Sequence, residues 1–172
     1  MNLATPRVEP DARLLEWLSS QGIEFEIHRH DPAFTALGTA QAEGVDPRTF
    51  AKVVVLATGD DRNVMVVLDA TDHLDLAKAR LVFDTNHVRL LTEPELLTLA
   101  PSCDVGAVPA VGALYGLPTY ADHAVREEPE ISFNAGSHQV AARVDRARWE
   151  QACGVIYADL AEATDSGPAW AR

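Results

Sequence analysis

Two valine-rich runs sit four residues apart in this chain: Phe50-Ala51-Lys52-Val53-Val54-Val55-Leu56-Ala57-Thr58 and Asn63-Val64-Met65-Val66-Val67-Leu68, joined by Gly59-Asp60-Asp61-Arg62. Branched side chains favour extended backbone, and a short spacer that opens on glycine suits a hairpin connection. The spacing therefore predicts an antiparallel hairpin running into an apolar core. It also places one charged group where it is least expected, because Lys52 stands at the mouth of the apolar stretch Val53-Val54-Val55-Leu56.

The rest of the chain alternates helix and strand patterns around that hairpin. Residues 11–21 carry Leu14, Leu15, Trp17 and Leu18 at helical spacing before Gly22, and Ile23 to His28 alternates apolar and polar residues as a half-buried strand does. A short helix is predicted over 35–43, closed by Gly44, and another over 75–80 bearing Leu76, Ala77 and Leu81. A brief strand at 87–91 and a helix at 93–99 follow, the latter stopped by Pro101. Strands are expected at 117–121, 130–134 and 139–144, and a last helix at 145–153 with Asp145 as its N-cap. The segment 103–112 fits neither period, since Gly106, Pro109 and Gly112 interrupt an apolar run, and it reads as a shaped loop. The sum is a mixed α/β domain, α+β in character, over residues 1–160, with a polar tail at 161–172 that frays from Thr164.

Charge and composition remove several classes of function. With 26 acidic against 14 basic side chains, the formal charge of −12 argues against a broad basic face for nucleic acid, and no DNA partner is expected. Cys103 and Cys153 are too few and too far apart for a disulfide scaffold or a zinc knuckle, so both are expected as unpaired thiols in a reducing compartment. The opening MNLATPRVEPDARLLEW has no apolar leader core, and no run approaches the roughly 18 apolar residues of a membrane span. A soluble, cytoplasmic protein with no membrane contact is the expectation.

Sites with familiar signatures are absent from the sequence. His28 and His30 would share a face of their strand, but nothing nearby completes a metal site. Asp69, Asp72, His73 and Asp75 lack the glycine and glutamate of a calcium loop, and read as a solvated turn. There is no nucleophile elbow, phosphate loop or dinucleotide turn, so neither covalent catalysis nor a cofactor is expected. Three odd places remain: Lys52, the loop Gly106 to Gly112, and Asn134-Ala135-Gly136-Ser137-His138, read as a small-residue turn between strands. Singly, each has a bland reading, as a snorkelling lysine, a connection and a surface histidine. Together, a cation and turns of exposed backbone N–H groups are what an oxygen gaining charge during reaction requires.

Those segments, with Leu117-Pro118-Thr119-Tyr120-Ala121-Asp122, occur in an order that resembles the YbaK-like aminoacyl-tRNA deacylases, relatives of the editing domain of bacterial prolyl-tRNA synthetase. The resemblance spans about residues 20–152. It implies a mixed, mostly antiparallel curved sheet flanked by helices, and hydrolysis of the ester of mischarged tRNA, releasing alanine, serine, cysteine or threonine. It makes Lys52 the active-site lysine and Gly106 the start of the pocket loop. Phe34, Val53, Ala107, Val108, Pro109, Asn134, Gly136, Ser137 and His138 would meet the substrate. The implied partner is the acceptor end of aminoacyl-tRNA, with an aminoacyl-tRNA synthetase or elongation factor helping an acidic protein to capture it. Two departures bear on selectivity. The loop proline stands at Pro109, with Ala110 where the family has proline, and Val53 replaces a frequent threonine. A methyl-sized change in a pocket is worth about 1–3 kcal/mol, so either alters substrate choice by tenfold or more. A silent paralogue that binds an aminoacyl-like ligand or a synthetase, and a hydrolase of acylated compounds other than tRNA, are the alternative readings.

Overall fold

In the computed structural model, which describes residues 8–59 and 61–163, the two valine-rich runs pair as antiparallel strands, β2 (Ala51–Thr58) and β3 (Asn63–Asp69). The register sets Lys52 opposite Leu68 and Ala51 opposite Asp69. Around them lie β1 (Phe25–Arg29), β4 (Val88–Leu90), β5 (Thr119–Asp122), β6 (Glu130–Ser137), β7 (Val140–Asp145) and β8 (Ile156–Ala158). The helices are α1 (Ala12–Ser20), α2 (Ala36–Glu43), α3 (Leu76–Val82), α4 (Glu93–Leu99) and α5 (Arg146–Cys153). The chain forms the expected mixed, mainly antiparallel α/β architecture, with its strands divided between two sheets. One sheet has the order β4-β2-β3-β5-β8, the other β1-β7-β6, and a parallel bridge from Phe50 to Ser132 joins them.

The continuous valine run of β3 is explained by burial on both faces. Met65 and Val67 enter a core with Leu14 and Leu18 of α1, Phe133 of β6 and Trp149 of α5. Val64, Val66 and Leu68 point the other way, into a cluster with Leu56, Ala79 and Leu160. β3 also takes β5 as a parallel neighbour, a pairing that needs the long crossover through α3, β4 and α4. Each helix starts where a short polar side chain can satisfy its free N–H groups: Asp11, Thr35, Asp75, Thr92 and Asp145 all accept from the first turn.

Three local expectations change. The small-residue turn 134–138 is mostly strand, because β6 runs on through Ser137 with a bulge between Asn134 and Ser137. Small residues are needed there for close packing: Asp11 N donates to Ala135 O at 2.8 Å, Asp104 N donates to Gly136 O at 2.8 Å, and a Cβ on Gly136 would stand 3.0 Å from that of Asp11. The inward face of α3 is Ala79 and Val82, while Leu81 is 82% exposed. β8, three residues long, carries too short a pattern to read in advance. At the chain's end, Ala161 is buried and bridges Leu74, and residues 164–172 of the expected tail lie outside the described residues.

Trp149 ties α5 to the irregular loop. Its ring is fully buried and its Nε1 donates to Ala110 O at 2.7 Å. Trp149→Phe leaves that carbonyl without its donor, and we expect unfolding free energy to fall by about 1–3 kcal/mol in urea titration. An unchanged midpoint would mean that the indole fills space and nothing more.

Candidate functional site

Lys52 is the second residue of β2, half-buried, and its ammonium is tethered. Nζ donates to the carbonyl of Asp72 at 2.7 Å. Beside it opens a cavity of about 190 Å³ lined by Phe34, Thr35, Ala36, Ala51, Lys52, Val53, Gly106, Val108 and Asn134. Its walls come from four separate parts of the chain: the approach to α2, the start of β2, the irregular loop and the end of β6. The bridge between Phe50 and Ser132 lies one residue before Ala51 and two before Asn134, so the cavity sits at the seam of the sheets.

The loop wall is shaped by backbone conformation. Gly106 has φ of 84°, in the left-handed region that side chains disfavour, and a Cβ there would lie 3.4 Å from His138 Cε1. Ala107 N donates to Asp104 O at 3.0 Å and Ala107 O accepts from Gly136 N at 3.0 Å, which pins the loop to β6. Among the described residues, the amides of Gly106 and Val108 donate to no protein acceptor. The buried Oδ1 of Asn134 has no partner there either, while its Nδ2 approaches Gly106 O at 3.5 Å. Unpaired main-chain donors on the cavity wall are suited to an oxyanion or a carbonyl oxygen.

Of the eleven residues singled out in the sequence, Phe34, Lys52, Val53, Gly106, Val108 and Asn134 meet at this cavity. Ala107, Pro109, Gly136 and Ser137 are buried and do not line it. His138 stands behind Gly106: its Nε2 pairs with Val105 O at 2.8 Å, and its ring meets Phe34 at 4.9 Å between centroids. Phe34 itself is 76% exposed at the rim. Sequence reasoning missed Thr35, Ala36 and Ala51 as cavity wall, although Thr35 carries the signal of an N-cap and so marks where α2 begins. It also missed the carbonyl of Asp72, which no side-chain pattern reveals.

The other candidates disperse. His28 pairs with Glu26 at 3.0 Å, while β1 ends at Arg29 and the ring of His30 turns inward, 4.0 Å from the buried Glu43. Burial pushes the Glu43 carboxyl above its usual range, opposed by the nearby histidines. Asp69 and Asp72 are buried, so their turn is not the solvated one expected. Burial, and then the charges of Asp69 and Asp122, push the Asp72 carboxyl up. Cys103 and Cys153 are free thiols, both raised by burial, Cys153 to about 12. Among the described residues no helix is long and apolar enough to cross a membrane.

The fold has counterparts among solved structures. A crystal structure of a candidate trans-editing enzyme for prolyl-tRNA synthetase superposes with a TM-score of 0.75 at 26% identity, covering 88% of this chain and 96% of that one. An epitope-presenting scaffold made by computational backbone grafting matches equally well, with a TM-score of 0.75, 25% identity and the same coverage of 88% and 96%. The hypothetical protein APE2540 shares the fold, with a TM-score of 0.78 at 19% identity over 87% of this chain and 99% of that one. No curated protein matches the sequence. Such architecture is that of an editing domain. Residues 30–151 match the family model of the aminoacyl-tRNA editing domain, and the chain belongs to that family, the YbaK-like one its motifs resemble.

Proposed function

We propose that this protein is a trans-editing hydrolase that clears mischarged aminoacyl-tRNA by cleaving the ester between a small amino acid and the terminal ribose. The observation that carries the reading is a lysine held by a main-chain carbonyl at a small cavity also lined by Gly106 and Val108, whose backbone amides donate to no acceptor among the described residues. Ester hydrolysis builds negative charge on the carbonyl oxygen, and fixed amide donors stabilise that charge without reorganising. Gly106 and Val108 N–H serve this role, and the Lys52 ammonium holds a ribose or phosphate oxygen. No cavity residue is an activated nucleophile, since the Thr35 hydroxyl is spent capping α2, where it accepts from Gly38 N at 2.9 Å. The attacking group is therefore water, activated with help from the neighbouring ribose hydroxyl. At about 190 Å³ the cavity is below the roughly 300–1,000 Å³ of ordinary ligand sites, which favours alanine, serine, cysteine or threonine over larger acyl groups.

A deacylation panel tests the reading, using purified protein with tRNAs charged with alanine, serine, cysteine, threonine and proline. We expect at least one of the small residues to be released well above the spontaneous rate. Release of none, with retained binding, would identify a silent paralogue instead. The net charge of −12 makes capture of the tRNA polyanion weak, so the acceptor end is the main contact, and a synthetase or elongation factor delivers it.

A further inference from the structure

Behind Lys52 lies the turn that supplies the Asp72 carbonyl. β3 ends at Asp69, directly opposite Ala51, and the chain then reverses through Ala70, Thr71 and Asp72. The Asp69 carboxylate folds this turn: its Oδ1 accepts from Thr71 N at 2.8 Å and from Thr71 Oγ1 at 2.5 Å. Asp72 N donates back to Asp69 O at 3.1 Å, and Ala70 N donates to Phe50 O at 2.8 Å, which fastens the turn to the residue two before Lys52. The result aims the Asp72 carbonyl at Lys52 Nζ. A lysine side chain has four rotatable bonds and a strongly hydrated head, so a single fixed acceptor decides where its charge rests. Asp69 is only 6% exposed, although its hydrogen bonds go to the turn and to no cavity side chain, and a buried carboxylate spent on a turn calls for a reason.

We propose that the Asp69–Asp72 turn is the device that holds the Lys52 ammonium at the cavity, and that Asp69 and Thr71 are positioning residues for it. This rests on Lys52 meeting the substrate as read above. Asp69 acts through the turn's shape and Thr71 through its hydroxyl, and neither reaches the ester. One of the ammonium's three donors is committed to Asp72 O, which leaves two for a substrate oxygen.

Two measurements separate this proposal from the reading beneath it. The first needs no substrate. The chain has two lysines, Lys52 and Lys78, and Lys78 is held elsewhere by Asp159 at 2.9 Å, so it serves as an internal reference. Reductive methylation of the folded protein, read by peptide mass spectrometry, gives the Lys52-to-Lys78 labelling ratio. We expect that ratio to rise several-fold in Asp69→Ala and to a lesser extent in Thr71→Ala, and to stay near the wild-type value in Asp69→Asn, which keeps an acceptor oxygen. Thr71 is at the surface, so Thr71→Ala keeps the test valid if Asp69→Ala does not fold. A ratio unchanged in Thr71→Ala, and in Asp69→Ala where that variant folds, overturns the proposal. The second measurement is deacylation. Thr71→Ala is expected to lower kcat/KM in the wild-type background but not in a Lys52→Ala background, a non-additivity that general loosening of the domain would not produce. Equal losses in both backgrounds would overturn the positioning role. A wild-type protein that deacylates nothing would sink the functional reading alone, because the labelling ratio still judges the turn.

Discussion

Lys52→Ala is expected to lower kcat/KM for release of the edited amino acid by roughly 10²-fold, the loss that follows when a group positioning the reacting ester is removed. Its ammonium is the only ionisable group lining the cavity among the described residues, so no neighbour can substitute for it. Stability should change far less. One charge-assisted hydrogen bond is lost, and Asp72 O, close to a cavity open to water, can be rehydrated, so about 1–2 kcal/mol is the expected cost. For a domain of this size that is a fall of about 2–8 °C in Tm, measured by calorimetry beside the kinetics. Lys52→Arg is the informative companion. It keeps the charge but replaces a compact point donor by a broad planar fork, so activity should recover only in part. If Lys52→Ala retained activity within about threefold of wild type, well short of that loss, Lys52 would have no part in the chemistry.

Gly112→Ala is expected to damage the fold itself. A Cβ at this position would stand 2.5 Å from Leu117 O and 2.5 Å from Thr119 Oγ1, and the first of these is backbone that cannot rotate away. The crowding reflects how the irregular loop ends: Gly112 N donates to Thr119 Oγ1 at 3.0 Å, Leu117 N donates to Gly112 O at 3.0 Å, and residues 112–115 form a short 3₁₀ turn leading into β5. Overpacking usually costs about 1–3 kcal/mol, and contacts this close place Gly112→Ala at roughly 3 kcal/mol or more. The corresponding fall in Tm is at least about 6–12 °C. Gly106→Ala makes a useful contrast, since its Cβ would meet only the edge of His138 and its cost is backbone strain at φ of 84°. A Gly112→Ala protein as stable as the wild type would mean the 112–119 segment gives way without loss.

How far the sequence could be read depended on which force shaped each segment. β2 and β3 were legible because burial leaves its mark on side-chain type, and six valines in two short runs point to little besides a buried strand pair. Asp145 and Gly44 announced the start of α5 and the end of α2 because capping is local chemistry. Asn134 to Ser137 misled for the opposite reason. Small polar residues and glycine signal a turn when nothing else is known, but here they keep the backbone bare so that Asp11 and the 103–107 loop can lie against it. That requirement is tertiary and leaves no periodic trace. The site divides in the same way. Lys52 and Gly106 stood out as residues at odds with their surroundings, whereas the carbonyl of Asp72 and the walls formed by Thr35 and Ala51 exist only once distant segments are brought together.

The pairing of β1 with β7 sets the timing of assembly during synthesis. Phe25 pairs with Val144, 119 residues later in the chain. At the roughly 5–20 residues per second of translation, β1 waits about 6–24 s before its partner strand exists. Throughout that interval a short strand with an open hydrogen-bonding edge is available to any neighbouring chain. The hairpin of β2 and β3, with its contacts close in sequence, can form at once and carry Lys52 into place early. The wall that faces it cannot, because Asn134 and the Trp149 anchor of the loop are made near the end. A ribosome-bound fragment ending before residue 130 should therefore hold the lysine strand without the cavity, and the capacity to bind an aminoacyl ester should appear in a single late step.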